Sequence, residues 1–388
     1  MFSADQEAIQ RHRLTSHYRR TVNILAAFYI RFPLFFRDHI WALIGFIDFG
    51  KVFAIYTAMD TLRSTFLDLC EHFSRALIGH SWIRVPIALV TTLLFIVYRI
   101  FAWLLAPIQL GQLDVRNKTV LITGASSGVG RALAFRFHRA GAKLILTARS
   151  VDSLKQLCAE LKAANSTNPY EPVYRHLDML NPADAAELRH LSPNGQIDIL
   201  VNNAGQWMRG SCRETALTVH RHIMDVNYFG HVAVTQALID AIPAGGSIVV
   251  VSSAAGRFAV PYGSAYSASK HAIQAYFDAL RVEERHLNVL VVSPGYINTN
   301  MSYSALTADG ALLGKAERNM VNGMSVEFAA EQIYQATVDK RKDVIIAPFE
   351  PQFAIFLRYF APDLSFHLAR CNAVIELEKE KREEMASS

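Results

Sequence analysis

The feature that most constrains the fold is an alternation of short β-branched runs with amphipathic stretches, which begins near residue 113. The runs are KTVLITG, KLILTA, PVYRHLD, IDILVNN, GSIVVVSS, NVLVVSPG and DVIIAP, and helical patterns separate them. Strands that are apolar on both faces need a covering layer on each side, and helices between parallel strands supply it. We therefore predict an α/β fold with a doubly wound parallel sheet. In such a sheet a cofactor binds beyond the carboxyl ends of the strands, at the topological switch point.

A long apolar stretch precedes this pattern. Residues 85–107, VPIALVTTLLFIVYRIFAWLLAP, approach the ~20 apolar residues that cross a bilayer. Arg99 is their one charge, and it would cost about 2.5–3.5 kcal/mol at the bilayer centre unless it extends toward the interface. We predict a transmembrane or monotopic anchor helix, with a buried helix of a soluble domain as the alternative. Basic residues flank the stretch equally, so the positive-inside rule leaves its orientation open.

The regions on either side complete the predicted organisation. The aromatic-rich stretch within residues 21–60 is interrupted by charges and a proline, which is typical of interfacial helices, although a soluble helical extension would look similar. We predict four parts: an N-terminal membrane-associated extension (1–84), the anchor (85–107), an NADP-binding catalytic domain (112–350), and a C-terminal apolar segment with a charged tail (351–388). The apolar C-terminal segment could face a membrane, cover a homodimer interface, or be a core helix.

Composition excludes several classes of function. The chain is 51% hydrophobic and 19% charged, which is more apolar than a typical soluble domain and fits lipid contact. Its net charge of +5 comes with no basic stripe interleaved with aromatics, so we expect no nucleic-acid partner. The 4 cysteines form no CxxC pair, so neither a metal site nor a disulfide framework is indicated, and we expect free, mostly buried thiols.

The first β-run leads directly into TGASSGVG, a glycine-rich turn that opens a helix. Gly124 permits a tight turn, Gly128 a close approach of the backbone, and Gly130 close packing of helix on strand. The helix N-terminus then offers unpaired N–H groups to a pyrophosphate. The spacing fits the general dinucleotide fingerprint only loosely, so other positions have to agree.

The second β-run ends in LTARS, which places Arg149 where an NAD site usually presents a carboxylate to the ribose. A guanidinium suits a 2′-phosphate, because its planar fork donates two parallel hydrogen bonds. We therefore expect NADP(H) to be preferred over NAD(H). A solvated loop arginine is the alternative.

Several motifs now occur in one order. TGASSGVG, NNAG, Asn227, the pair Ser252 and Ser253, YSASK and SPG have the order and spacing of the short-chain dehydrogenase/reductases, which the chain resembles over roughly residues 107–372. SPGYINTNMS, TADG, KRKDVIIA and LRYFAPDL are similar to a membrane-associated subgroup, the member 7B type. The resemblance implies a Rossmann-like fold. It also implies that Asp178 contacts the adenine, Asn203 the adenosine ribose, and Thr299 the nicotinamide amide.

Tyr266 and Lys270 are four residues apart, so they lie on one face of a helix. An ammonium stabilises a phenolate, which makes tyrosine a usable proton carrier, and it can also reach the ribose hydroxyls. Ser253 would hydrogen-bond the substrate oxygen, and Asn227 would hold a water that resupplies the proton. Each residue alone also has a structural explanation, and their joint occurrence favours catalysis. The predicted chemistry needs no metal, since the hydride comes from the nicotinamide.

The predicted site can be stated together. The catalytic residues are Asn227, Ser253, Tyr266 and Lys270, with Ser253 also binding substrate. The cofactor-binding residues are Gly124, Ser126, Ser127, Gly128, Val129, Gly130, Arg149, Asp178, Asn203, Tyr266, Lys270 and Thr299.

The predicted function is interconversion of a carbonyl and a secondary alcohol on a lipophilic substrate: a steroid, a retinoid, a fatty-acyl compound or, through the subgroup resemblance, acylated dihydroxyacetone phosphate. We expect membrane lipid as a partner and a location at the endoplasmic reticulum or peroxisome. A regulatory protein or scaffold that binds NADP(H) at a membrane is the alternative from another functional class. The intact set of catalytic residues favours the enzyme.

Overall fold

The computed structural model describes residues 112–165, 167–192 and 194–373. The predicted extension, the predicted anchor and the charged tail lie outside these ranges. Among the helices that are described, none combines the length and the apolarity needed to cross a membrane.

The centre of the described domain is a parallel sheet of seven strands, in the order β3-β2-β1-β4-β6-β7-β9. The order reverses between β1 and β4, which is the switch point expected of a doubly wound sheet. A separate pair, β5 and β8, also runs parallel. The strands are β1 (Thr119–Thr123), β2 (Lys143–Ala148), β3 (Val173–His176), β4 (Ile199–Asn202), β5 (Met208–Arg209), β6 (Ser247–Val251), β7 (Asn288–Pro294), β8 (Leu306–Thr307) and β9 (Asp343–Ile346).

Helices fill the connections between strands. The α-helices are α1 (Gly128–Arg139), α2 (Val151–Ala164), α3 (Leu217–Met224), α4 (Gly230–Leu238), α5 (Ser264–Glu283), α6 (Arg318–Val321), α7 (Val326–Val338) and α8 (Phe349–Phe360). A further helical segment covers residues 362–373. Short 3₁₀ helices at Ile239–Ala241, Ala254–Gly256 and Asn300–Ser302 follow strands or helices, and two longer segments also depart from α geometry. Pro182–Leu191 is a 3₁₀ helix, and Asp225–Phe229 is a π-turn that joins α3 to α4.

The two faces of the sheet have separate cores, as a doubly wound sheet requires. Successive residues of β1 alternate between them, because side chains along a strand point to opposite faces. Val120 and Ile122 pack with α1, α2 and α7, whereas Leu121 packs with the 3₁₀ helix, α4 and α5. All five residues of β1 are buried, which explains its continuous apolar run. β3 is exposed along its whole length, because it is an edge strand.

The described cysteines are free thiols, as predicted, but their burial differs from the prediction. Cys158 is buried, whereas Cys212 and Cys371 are exposed. Cys158 lies on the face of α2 that packs against the sheet, so only this thiol is part of a core. The other two lie in a loop and in the C-terminal helical segment, outside the layers that bury apolar side chains.

Candidate active site

A cavity of about 1240 Å³ lies beyond the carboxyl ends of the sheet strands. Every segment that leaves a central strand at this edge contributes to its wall, as expected for a parallel sheet. Of the predicted site residues, those that line it are Gly124, Ser126, Ser127, Gly128, Val129, Arg149, Asp178, Asn203, Ser253, Tyr266, Lys270 and Thr299. Gly130 and Asn227 stand behind the wall.

The glycine turn is packed too closely to accept side chains. Gly124 has a φ of +66°, and a Cβ there would lie 2.8 Å from the Cα of Ala204. A Cβ on Gly130 would lie 2.5 Å from Asn203 Nδ2 and still closer to the carbonyl of Gly124. The glycine turn and the start of α1 therefore lie against the NNAG segment (residues 202–205) with no space for further side chains. This arrangement is a cradle into which the backbone N–H groups of a helix N-terminus can direct a phosphate.

Thr123, which directly precedes the glycine turn, hydrogen-bonds the NNAG segment. Its Oγ1 accepts hydrogen bonds from the backbone N–H of Asn203 at 3.0 Å and of Ala204 at 3.1 Å. The amide of Asn203 in turn donates to the carbonyls of Thr123 at 2.9 Å and Gly124 at 3.2 Å. Asn203 therefore braces two loops, in addition to lining the cavity where a ribose contact was predicted.

The residues around the cradle fit a nicotinamide dinucleotide. No side chain caps the N-terminus of α1 at Ser127, and its first turn contains no acidic residue, so its N–H groups remain available to an anion. Arg149 is exposed directly after β2, and no carboxylate within the described ranges pairs with it. Asp178 lies after β3, on the same side of the cavity. The cradle, the free helix terminus and the arginine suit a phosphorylated ligand.

Tyr266 and Lys270 occupy the first turns of α5, and both are buried. The Lys270 ammonium lies 5.6 Å from the centroid of the Tyr266 ring and donates to the carbonyl of Val251 at 3.1 Å. Ser253 follows β6 and lines the same cavity as Tyr266 and Lys270, and its Oγ accepts from the backbone N–H of Ala255 at 3.1 Å. The structure therefore brings together the three residues that were predicted to act on the substrate.

Burial shifts the pKa values of this pair in opposite directions. It raises the pKa of Tyr266 to about 12, although the nearby Ser253 hydroxyl opposes the shift. It lowers the pKa of Lys270 from 10.5 to about 8. Near neutral pH, Tyr266 therefore holds its proton and Lys270 is mostly an ammonium, which is the protonation state in which a tyrosine can donate to a carbonyl oxygen.

Asn227 lies inside the π-turn and is fully buried. Its Oδ1 accepts from the backbone N–H of Gln206 at 2.8 Å, and its Nδ2 donates to the carbonyl of Gln206 at 2.9 Å and to Ser269 Oγ at 3.1 Å. Both hydrogens of the amide are thus used. A water that connects Lys270 to solvent, as predicted, would have to bind Oδ1 or the backbone carbonyl.

Two sets of residues were not predicted. Gln274 lies one turn after Lys270, and its Nε2 is within 2.9 Å of Ser252 Oγ and 3.3 Å of both Ser253 O and Ser293 Oγ. It links α5 to the ends of β6 and β7. The four-residue spacing from Tyr266 to Lys270 to Gln274 could have indicated it, since the three share a helical face.

The other unpredicted set forms the wall remote from the glycine turn. The Trp207 ring packs edge-on against Tyr266, with centroids 4.7 Å apart. Arg209 forms an ion pair with the nearly buried Glu317 at 2.8 Å, and its guanidinium lies 5.7 Å from the centroid of the Tyr262 ring. These contacts join segments about 50 to 110 residues apart, so no local spacing indicates them.

Comparison with known proteins identifies a family and relatives whose sequences are similar to this chain. The family described as short chain dehydrogenase matches residues 118–309. "Dehydrogenase/reductase SDR family member 7B" of Mus musculus is 42% identical over 267 residues, which are 67% of this chain and 82% of the mouse protein.

Two solved structures share the fold. A short chain dehydrogenase/reductase from Burkholderia phymatum in complex with NAD has a TM-score of 0.57 at 22% identity, over 65% of this chain and 96% of its own. An alcohol dehydrogenase from Thermococcus sibiricus complexed with 5-hydroxy-NADP has a TM-score of 0.52 at 25% identity, over 60% of this chain and 96% of its own.

Proposed function

The chain belongs to the short chain dehydrogenase family, and on that premise we propose that it is an NADP(H)-dependent oxidoreductase, anchored to a membrane, that interconverts a carbonyl and a secondary alcohol on a lipophilic substrate. One observation carries the proposal. Ser253, Tyr266 and Lys270 line the same cavity as the glycine turn that begins at Gly124. A proton donor and a cofactor cradle therefore share one cavity.

In the direction of reduction, Tyr266 donates its proton to the carbonyl oxygen. The raised pKa of Tyr266 keeps that proton in place at neutral pH. Ser253 donates a hydrogen bond to the same oxygen as negative charge develops there. The Lys270 ammonium stabilises the phenolate that remains. When bound, the nicotinamide dinucleotide supplies the hydride.

The preference for NADP(H) rests on Arg149. Its position after β2, at the edge of the cavity, matches the place where a 2′-phosphate requires a cation. Exposure leaves the guanidinium free to form a bidentate contact with that phosphate. We expect Arg149→Gln to weaken NADPH binding by roughly tenfold or more and to leave NADH binding nearly unchanged.

The lipophilic substrate and the membrane location rest on apolar residues beside the cavity and on the surface. Phe353, Leu357 and Leu368 line the cavity on the side of α8 and the following helical segment. Tyr359 and Phe360 are more than 60% exposed at the end of α8, and aromatic residues of this kind are common at lipid interfaces. Together with the apolar stretch at residues 85–107, they support attachment to a membrane, which we propose is that of the endoplasmic reticulum or the peroxisome.

The proposal is tested by turnover of the full chain in detergent or nanodiscs. NADPH oxidation is followed with a panel of steroid, retinoid and long-chain acyl ketones, with NADH measured in parallel. We expect turnover that falls by roughly a thousandfold or more in Tyr266→Phe, since the variant lacks the proton donor. NADPH binding without turnover on any ketone would favour the regulatory alternative, and a preference for NADH would contradict the role of Arg149.

A further inference from the structure

A histidine that the mechanism does not use lies beneath the cofactor loop. His231 is on α4, four residues after Asn227, and is fully buried. Its Nε2 lies 2.6 Å from the carbonyl oxygen of Ala204, and its Nδ1 lies 3.2 Å from Asn202 Oδ1. Nδ2 of the same amide lies 2.9 Å from Thr235 Oγ1. These contacts form a hydrogen-bond network that joins α4 to the NNAG segment.

The protonation of His231 follows from its neighbours. Burial, with the nearby Lys270 ammonium, lowers the pKa of His231 to about 3, so the ring is neutral at physiological pH. The Ala204 carbonyl can only accept, which places the single ring proton on Nε2. Nδ1 is then an acceptor. Asn202 Oδ1 faces Nδ1 in the structure, so two acceptors would meet there. Exchanging the oxygen and the nitrogen of this amide, which have nearly the same shape, gives Nδ1 a donor and lets the Thr235 hydroxyl donate to the amide oxygen.

Hydrogen bonds from His231 and Asn227 hold both ends of the loop formed by residues 204–206. His231 holds the carbonyl of Ala204, and Asn227 holds the N–H and the carbonyl of Gln206. Gly205 lies between them, and a Cβ there would be 3.6 Å from the Lys270 ammonium. The loop therefore forms one wall of the space in which that ammonium sits.

The loop also determines the shape of the phosphate cradle. Ala204 is the residue against which Gly124 packs, with no space for a side chain between them. A shift of Ala204 by even a fraction of an ångström would displace the glycine turn, because the two segments are already in close contact. The Thr123 hydroxyl fixes the N–H of Ala204, and His231 fixes its carbonyl.

We propose that His231 is a positioning residue: its Nε2–H bond to the Ala204 carbonyl holds residues 204–206 in the conformation that binds the nicotinamide dinucleotide and aligns Lys270. The inference deepens the proposed function and rests on it. A site of this kind needs its contact residues held by a supporting layer of packed, hydrogen-bonded groups. His231 supplies that layer on the side of α4, where Asn227 alone would leave Ala204 unsupported.

Two isosteric substitutions separate the two contacts of the ring. The amide nitrogen of glutamine reaches the position of Nε2, so His231→Gln keeps the bond to Ala204 and gives up the contact with Asn202. The shorter His231→Asn does the reverse. Thr235→Val is the matched control, because it removes a hydrogen bond from the same hydrogen-bond network without touching residues 204–206.

The measurement is the NADPH dissociation constant of the full chain, obtained from fluorescence of the bound nucleotide, alongside thermal unfolding without nucleotide. We expect His231→Asn to weaken NADPH binding by roughly tenfold, the typical effect of losing one buried hydrogen bond. His231→Gln should stay within about threefold of wild type, and Thr235→Val within about twofold, even where their unfolding temperatures fall.

The outcomes are distinct. Equal NADPH binding by His231→Asn and His231→Gln would overturn the inference, as would a loss in Thr235→Val as large as that in His231→Asn. Wild-type protein that binds NADPH but turns over no ketone would contradict the enzymatic proposal, while the comparison of variants still decides the role of His231. Wild-type protein that binds no NADPH would overturn both.

Discussion

The two ends of the cavity are built differently. At the cofactor end, backbone meets backbone: Gly124 and Gly130 allow contacts that no side chain could share, and Thr123 and Asn203 bind carbonyl and N–H groups of neighbouring loops. At the substrate end, side chains from distant segments meet, including the ring of Trp207 and the Arg209–Glu317 ion pair. The first end has a fixed shape, whereas the second depends on which side chains are present.

This difference explains why residue types at the cofactor end indicate which ligand binds there, whereas those at the substrate end do not identify the substrate. A dinucleotide has the same phosphates and riboses in every enzyme that uses it, so a fixed backbone cradle suits it. A substrate differs between enzymes on one fold, and its recognition therefore depends on variable side chains. Substitutions at the cofactor end should therefore change NADPH affinity, and substitutions at the substrate end should change the KM for the ketone.

The largest expected effect is at the cofactor end. Gly130→Ala places a Cβ against Asn203 and the Gly124 carbonyl, so the cradle has to open. We expect NADPH binding to weaken by roughly a hundredfold or more, with about 1–3 kcal/mol lost from the free energy of unfolding through overpacking. Gly245→Ala is the control for NADPH affinity: its φ of +81° makes alanine costly to stability as well, but nothing lies within 4 Å of a Cβ there and the residue precedes β6, away from the cradle. Similar NADPH affinity in both variants would show that the cradle is not rigid.

The second prediction concerns Lys270, which lies between the two ends. Its pKa of about 8 means that the ammonium is present below that pH and lost above it. We expect kcat/KM for NADPH to fall by up to about tenfold per pH unit above 8, because this ratio reports ionisation of the free enzyme.

Folding stability should respond to the same group with the opposite sign. Between pH 8 and 10.5 the unfolded chain binds more protons at Lys270 than the folded chain, so this residue makes stability rise with pH. Lys270→Met should remove this contribution, as measured by denaturant unfolding at pH 7 and pH 9.5. If wild type and Lys270→Met gained equally in stability, the pKa of Lys270 would not be lowered by folding.

The smallest expected effect is at the substrate end. Glu317→Gln removes the carboxylate from Arg209, and Glu317 is only 11% exposed. Breaking a largely buried pair should cost about 1–3 kcal/mol, less than for a fully buried one, and lower the unfolding temperature by about 2–6 °C. We expect the KM for the ketone to change by roughly threefold to tenfold while NADPH affinity stays constant. A matching change in NADPH affinity would show that the two ends are coupled.

The sequence predicted the family, the parallel sheet and the residues at the cofactor end, and the family and the sheet are confirmed. It could do so because glycine, asparagine and serine are required there by backbone geometry and short spacing. Trp207, Arg209 and Glu317 were missed, since their contacts arise only when separate loops meet. His231 was missed for another reason. A histidine in an apolar helix stretch gives no sign of the backbone atom that it will reach.

The π-turn at Asp225–Phe229 has a consequence for helical-wheel diagrams of this region. It contains one residue more than an α-turn, and each residue of an ideal helix advances the wheel by ~100°. A wheel drawn straight through residues 217–238 therefore rotates everything after the turn away from its true face. Once the extra residue is allowed for, Val219 and Ile223 before the turn share one stripe with His231, Val234 and Leu238 after it. The amphipathic phase is continuous, and Asn227 reaches its loop without shifting the buried face of α4.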